Sequence, residues 1–240
     1  MNIFHFPARV SYSDITDAYM LTLTGALRMM QEAAIVHSNT TKFSVFNTHE
    51  THLSWMLVRW RARMVGEAHW NDDLVVHTWP HTMERVTSDR CFEIVDENGT
   101  PVAVGESSWI LVNTDTRRAA RVTPEVAAAY PLVDREVFSE PLRQPPMDSG
   151  VETYRCRVLR RDIDTQHHVN NLVYIDYAKQ ALPEDVYQLP FREISVKYSR
   201  QFLLGDEVSC VYHHGDGCHL VDIRSGDGSV SHAQVTLLEH

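Results

Sequence analysis

Residues 57–65, LVRWRARMV, alternate strictly, with Val58, Trp60, Ala62 and Met64 set against Arg59, Arg61 and Arg63. A period of two predicts a strand with one buried face. The stretch EISVKYSRQF (193–202) alternates likewise, with Ile194, Val196 and Tyr198 on one side. Elsewhere the period is helical. Leu23, Leu27, Met30 and Ala34 form one stripe, flanked by Ala26, Met29 and Ala33. Leu172, Val173, Ile175, Tyr177, Ala178 and Ala181 form another, apolar almost all the way round. Helices apolar over so wide an arc are wrapped by other elements, not laid on a surface.

These elements come twice, in the same order. SDITDAYML (13–21) and RDIDTQHHV (161–169) each precede a helical pattern, and each helix is followed by an alternating strand. HWNDDLVVHTW (69–79) then matches LLGDEVSCVYH (203–213), a turn with paired acids followed by a β-branched run. Each half closes on a hairpin, the first at DENGT with its Asn-Gly signal, the second at SGDGS. Between them, residues 130–150 lose all periodicity and are rich in proline and acids, which reads as a linker. The expectation is an α+β protein of two tandem domains, 1–129 and 151–240, each an antiparallel sheet wrapped around a long helix. Such a tandem mimics a homodimer within one chain, and leaves open whether the whole chain pairs again.

The ten residues DIDTQHHVNN (162–171) hold two aspartates, two histidines, a glutamine and two asparagines at the entrance to the second helix. Asp162, Asp164 and Asn170 have the chemistry of helix caps, and the cluster can be read as no more than that. A different reading comes from the motif as a whole. DIDTQHHVNNLVYIDY resembles the signature D-x-D-x-N-x-H-V-N-N-x-x-Y of the acyl-acyl carrier protein (acyl-ACP) thioesterases, at Asp162, Asp164, His168, Val169, Asn170, Asn171 and Tyr174. SSWILVNTDTRRAARVTPEV (107–126) resembles that family's strand ending in Thr-Arg-Arg, and MQEAAIVHS its first helix. The likeness runs over nearly the whole chain.

The resemblance implies a tandem hotdog fold and hydrolysis of a fatty-acyl thioester on acyl carrier protein. It also implies a division of labour, with catalysis in the second hotdog and an acyl-chain pocket in a degenerate first one. Residues 14–20 fit that division, since they offer Asp14, Thr16 and Asp17 but no histidine. Asp164 and His168 keep the family identities, whereas the family's asparagine falls on Gln166 and its catalytic glutamate on Gln201. His168 is the natural base, because an imidazole can take and return a proton near neutral pH. Asp164 would orient it, and Gln166 and Gln201 would hold water or substrate by their amides. Free amides where the helix begins, near Asn170 and Asn171, would face the oxyanion. Strand parity puts Gln201 with Ser195, Lys197 and Ser199, so its participation requires that face to meet the site, or a bulge before it. Met29, Trp55 and Trp60 are the candidates for the acyl pocket, and each could equally be core.

Composition and charge narrow the setting. The chain has 240 residues and a net charge of −10, which argues against nucleic acid and anionic membranes. No apolar run approaches the length of a membrane span. The start, MNIFHFPARV, shows neither signal-peptide nor transit-like character, and four unpaired-looking cysteines suit a reducing environment. A cytoplasmic protein is expected. An acidic carrier would need a local basic patch, for which Arg160 and Arg161 are the candidates. The histidines and cysteines of 210–219 lack the ligand spacing of a metal site, and the chemistry asks for no cofactor. Two other readings stay open: hydrolysis of coenzyme A thioesters, and acyl binding without catalysis, the latter because of Gln166 and Gln201.

Overall fold

Residues 2–145, 150–215 and 217–239 are described by a computed structural model. It divides into two units, Met1–Glu140 and Pro141–His240. The first contains β1 (Phe4–Arg9), α1 (Leu23–Asn39), α2 (Thr48–Thr51), β2 (Leu53–Met64), β3 (Asp73–Met83), β4 (Thr87–Val95), β5 (Pro101–Asn113), β6 (Arg118–Ala119) and α3 (Pro124–Ala129). All its pairings are antiparallel, in the order β1-β3-β4-β5-β2, with the short β6 beside β5. The second contains β7 (Val151–Arg157), α4 (Val173–Ala181), α5 (Glu184–Tyr187), β8 (Glu193–Tyr198), β9 (Glu207–Gly215), β10 (Cys218–Ser225) and β11 (Ser231–Leu238). Its order, β7-β9-β10-β11-β8, repeats the first strand for strand. Among the described residues no helix is long and apolar enough to cross a membrane.

In each unit the helix lies on its sheet, as the wide apolar arcs predict. Ala26, Leu27, Met30 and Ala33 of α1 are fully buried, and so are Ile175 and Ala178 of α4. A Leu or Met buried this way contributes roughly 1.5–3 kcal/mol. Thr22 caps α1 by accepting the Gly25 amide at 3.0 Å. The second helix is shorter than expected, nine residues against seventeen. Pro183 ends it, because the residue before a proline is pushed into extended backbone, as Leu182 is. Both hairpins turn on a glycine of positive φ, Gly99 and Gly228, where a side chain would be strained.

The stretch expected to be a linker belongs in part to the first unit. Tyr130, Val133 and Phe138 are buried. The Trp79 indole donates to the Arg135 carbonyl at 2.8 Å, and the Arg135 guanidinium pairs with Glu93 at 2.7 Å. Phe138 lies 4.0 Å beneath the Arg61 guanidinium, which also donates to the Glu140 carbonyl at 2.7 Å. Residues 133–140 thus cover the outer face of the sheet, and Arg61, assigned by alternation to the open side, is only 4% exposed. Residues 146–149 of the expected linker lie outside the described residues.

Candidate active site

The site residues of the second unit stand on a turn that closes on its own backbone. Asp164 N–H donates to the His168 carbonyl at 2.9 Å, and His167 N–H to the Asp164 carbonyl at 3.1 Å. Ile163 and Val169 bridge its base, and His167 takes a left-handed conformation, φ 63°. The first unit builds the same turn 148 residues earlier. Thr16 N–H bonds the Met20 carbonyl at 2.8 Å, Tyr19 N–H the Thr16 carbonyl at 3.0 Å, Ile15 bridges Leu21, and Tyr19 has φ 61°. Asp14 and Asp162 sit at its foot in both, each taking an amide of the segment before the helix, Thr22 or Asn170, on its carbonyl at 2.8 Å. Asp164, Gln166 and His168 therefore stand where the first unit has Thr16, Ala18 and Met20.

Asp162 is structural. It is buried, and its Oδ2 accepts the Leu159 amide at 2.7 Å and the Tyr177 hydroxyl at 3.0 Å. Asp14 plays that part in the first unit by accepting from Arg28 at 2.9 Å. Asp164 Oδ1 accepts the Gln166 amide at 2.8 Å, which fixes the carboxylate over the turn. His168 is half-buried, while Gln166 and His167 face solvent. Of the two asparagines, Asn170 is absorbed by architecture: its N–H goes to Asp162 and its Oδ1 accepts the Leu172 amide at 2.9 Å. Its amide therefore cannot serve an oxyanion as expected. The Asn171 N–H has no hydrogen-bond partner among the described residues, and the next peptide is pinned by Tyr198, whose hydroxyl donates to the Asn171 carbonyl at 2.8 Å.

Gln201 lies past the end of β8, on exposed backbone. The amides of Ser199 and Arg200 both donate to the His232 carbonyl, at 2.8 and 3.1 Å. Two successive N–H groups on one carbonyl mark the bulge that strand parity called for. After it, Phe202 turns inward and stacks on Tyr174, and its carbonyl accepts the Val169 amide at 3.1 Å. The Tyr174 hydroxyl takes the Phe202 amide at 3.0 Å and reaches the Arg200 carbonyl at 3.4 Å. Burial pushes that phenol up to about 12, so it remains a donor at neutral pH. The helix thereby clamps the backbone on both sides of Gln201 to the turn carrying His168. Tyr174 and Tyr198 were not singled out as positioning residues, although their hydroxyls on otherwise apolar faces were the signal.

Arg160 and Arg161 are exposed just before the turn, and Arg161 is 3.8 Å from Asp162. Leu159, Leu203 and Leu204 are also exposed beside them, on segments joined by the Gly205 amide to the Val158 carbonyl. Among the described residues no group of three or more His, Cys, Asp or Glu is set to hold a metal ion. His219 of the histidine-rich stretch bonds Tyr212 at 2.7 Å and Glu239 at 3.1 Å.

The first unit holds a cavity of about 80 Å³ between the C-terminal half of α1 and the sheet. Of the three residues expected to form a pocket, Trp55 lines it, facing Phe43, Met83 and Trp109. Met29 and Trp60 are core instead. Trp60 is wholly buried 5.0 Å from Phe92, and Met29 is 7% exposed, both outside the cavity lining. Arg90 and Tyr130 line it unexpectedly.

A family model described as the acyl-ACP thioesterase N-terminal domain matches residues 3–130, and one for the C-terminal domain matches residues 145–236. The chain is 27% identical over 199 residues to the chloroplastic oleoyl-acyl carrier protein thioesterase 2 of Arabidopsis thaliana, covering 75% of this chain and 54% of that one. It is 23% identical to the uncharacterized protein Rv2001 of Mycobacterium tuberculosis, over 91% of this chain and 86% of that one. The chain spans about half the length of the plant relatives it matches. In fold it is similar to an acyl-ACP thioesterase from Bacteroides thetaiotaomicron, with TM-score 0.86, 20% identity and coverage of 98% and 97%. It is also similar to the 12:0-ACP thioesterase of Umbellularia californica, with TM-score 0.83, 18% identity and coverage of 98% and 96%.

Proposed function

The chain belongs to the acyl-ACP thioesterase family, and we propose that it hydrolyses fatty acyl-ACP to a free fatty acid and the carrier thiol in the cytosol. The observation that carries this reading is the pair of identical turns, of which only the second bears Asp164, Gln166 and His168. In this scheme the His168 imidazole takes a proton from water, and the hydroxide equivalent attacks the acyl carbonyl carbon. The Asn171 N–H, left without an internal partner, stabilises the tetrahedral oxyanion. Collapse breaks the carbon–sulfur bond, and the imidazolium returns its proton to the thiolate. Asp164 favours the imidazolium as it forms, and Gln166 and Gln201 hold the attacking water. Arg160 and Arg161, with Leu159, Leu203 and Leu204 beside them, receive the acidic carrier. Trp55 and its cavity receive an aliphatic chain.

The decisive experiment measures thiol release from matched acyl-ACP and acyl-CoA substrates by wild type and His168→Ala. Turnover faster on the carrier, and reduced at least roughly 100-fold in the variant, is expected. Equal rates on both carriers would favour a coenzyme A thioesterase. The glutamines at 166 and 201 support a second reading, acyl binding without hydrolysis, which absence of turnover on any thioester with ligand binding retained would establish.

A further inference from the structure

Arg90 stands on the core face of β4, in line with Ser88, Phe92 and Ile94, all of which are buried. Its partners there are neutral. One terminal nitrogen, Nη1, donates to His37 Nδ1 at 2.8 Å and to Thr78 Oγ1 at 3.1 Å. Among the described residues no carboxylate pairs with it, and its Nε and second terminal nitrogen have no hydrogen-bond partner. Burial lowers the Arg90 pKa to about 10, and burial with the Arg90 charge lowers His37 to about 4, so His37 accepts as a neutral ring. The last turn of α1, which carries His37, supplies only the partial negative charge of a helix end. Burying a cation without a counter-charge is costly, and a core position that needed only bulk would be filled more cheaply by leucine or methionine.

Arg90 also borders the cavity. Arg90 lines it together with Trp55, Trp109, Phe43 and Met83, so one cation stands among large apolar walls. A volume of about 80 Å³ holds on the order of five to eight water-sized groups at roughly 10–15 Å³ each. That is a head group with a short aliphatic segment. Guanidinium presents a planar fork of donors matched to the two oxygens of a carboxylate.

We propose that the cavity of the first unit binds the carboxylate end of an aliphatic chain, with Arg90 as its receptor. The carboxylate has two sources, a released fatty acid or the far end of an ω-carboxyacyl substrate. The reading does not depend on the thioesterase assignment, because binding can be measured without turnover.

Octanoate and octan-1-ol, titrated against the tryptophan fluorescence that Trp55 and Trp109 report and against calorimetry, test it directly. Wild type is expected to bind octanoate at least roughly tenfold more tightly than the alcohol, a discrimination a charged hydrogen bond supplies. Arg90→Met should abolish that preference, and Arg90→Lys should keep part of it. Should Arg90→Met fail to fold, Trp55→Ala provides the second variant: it removes part of the apolar wall, weakening both ligands while the preference persists, and a preference lost there overturns the proposal. Equal affinity for acid and alcohol in wild type, or no binding of octanoate, overturns the proposal. So does a preference that survives in Arg90→Met. Turnover assays separate the sources. Faster hydrolysis of an ω-carboxyacyl thioester than of a plain acyl thioester of equal length assigns the carboxylate to the substrate. Inhibition by octanoate without that advantage assigns it to the released acid.

Discussion

Gln201 is held near the turn of His168 by backbone contacts on both of its flanks. The bulge at Ser199–Arg200 and the Tyr174 clamp tie its flanks to the turn of His168. Its side chain is exposed, so a carboxylate there would keep its hydration and cost the fold little. Gln201→Glu is expected to raise kcat by roughly tenfold or more by adding a proton acceptor, measured as thiol release at saturating substrate. A fall instead would make the amide itself the working group. His37 gives a second residue-scale expectation, in pH. Its folded pKa of about 4 lies below the ordinary 6.5, so the unfolded chain protonates first as pH falls. The stability gained from a neutral His37 is complete above about 6.5 and is lost as pH drops toward 4. Discounted for partial exposure, the loss is on the order of 1–2 kcal/mol. Urea midpoints across that window should fall in wild type and less steeply in His37→Asn.

Among the elements, α1 depends on a close approach. The turn of residues 14–22 rests on the helix at Gly25, where a methyl group would meet the Asp14 side chain at 2.7 Å and its carbonyl at 3.0 Å. Helix propensity alone would make alanine the better residue by ~1 kcal/mol. The contact reverses that sign, and Gly25→Ala is expected to destabilise by roughly 1–3 kcal/mol, read from chemical denaturation. The helix stripes were legible because their period repeats within a few turns of chain, whatever sheet they later pack on. The outer cover of the first sheet was not. Arg61 alternates like an exposed strand residue, yet Phe138 and Glu140, nearly eighty positions later, pack over it. Residues 130–140 carry no period because they follow a surface another element has already shaped.

For the whole molecule, the duplicated order of elements made the two-unit plan readable, and the strand orders of the two sheets agree with it. The candidate site was legible as residue types and only partly as roles. Asn170 and Asn171 look equivalent in sequence, yet one amide is consumed by Asp162 and the other is not. Arg90 was invisible because a strand alternating through Ser88, Arg90, Phe92 and Ile94 gives no sign of which face is closed. Carrier recognition belongs to this scale too. Arg160→Glu with Arg161→Glu should raise KM for an acyl-ACP by tenfold or more and leave a small thioester nearly unchanged; equal effects on both would remove these arginines from docking. The two turns carry one last consequence. Each is held by its own main chain, so the side chains at 16, 18 and 20, or at 164, 166 and 168, can vary without disturbing the loop. After a gene doubles, one copy of such a loop can shed its chemistry while remaining a sound piece of scaffold. By the same token, it stays open to acquiring another.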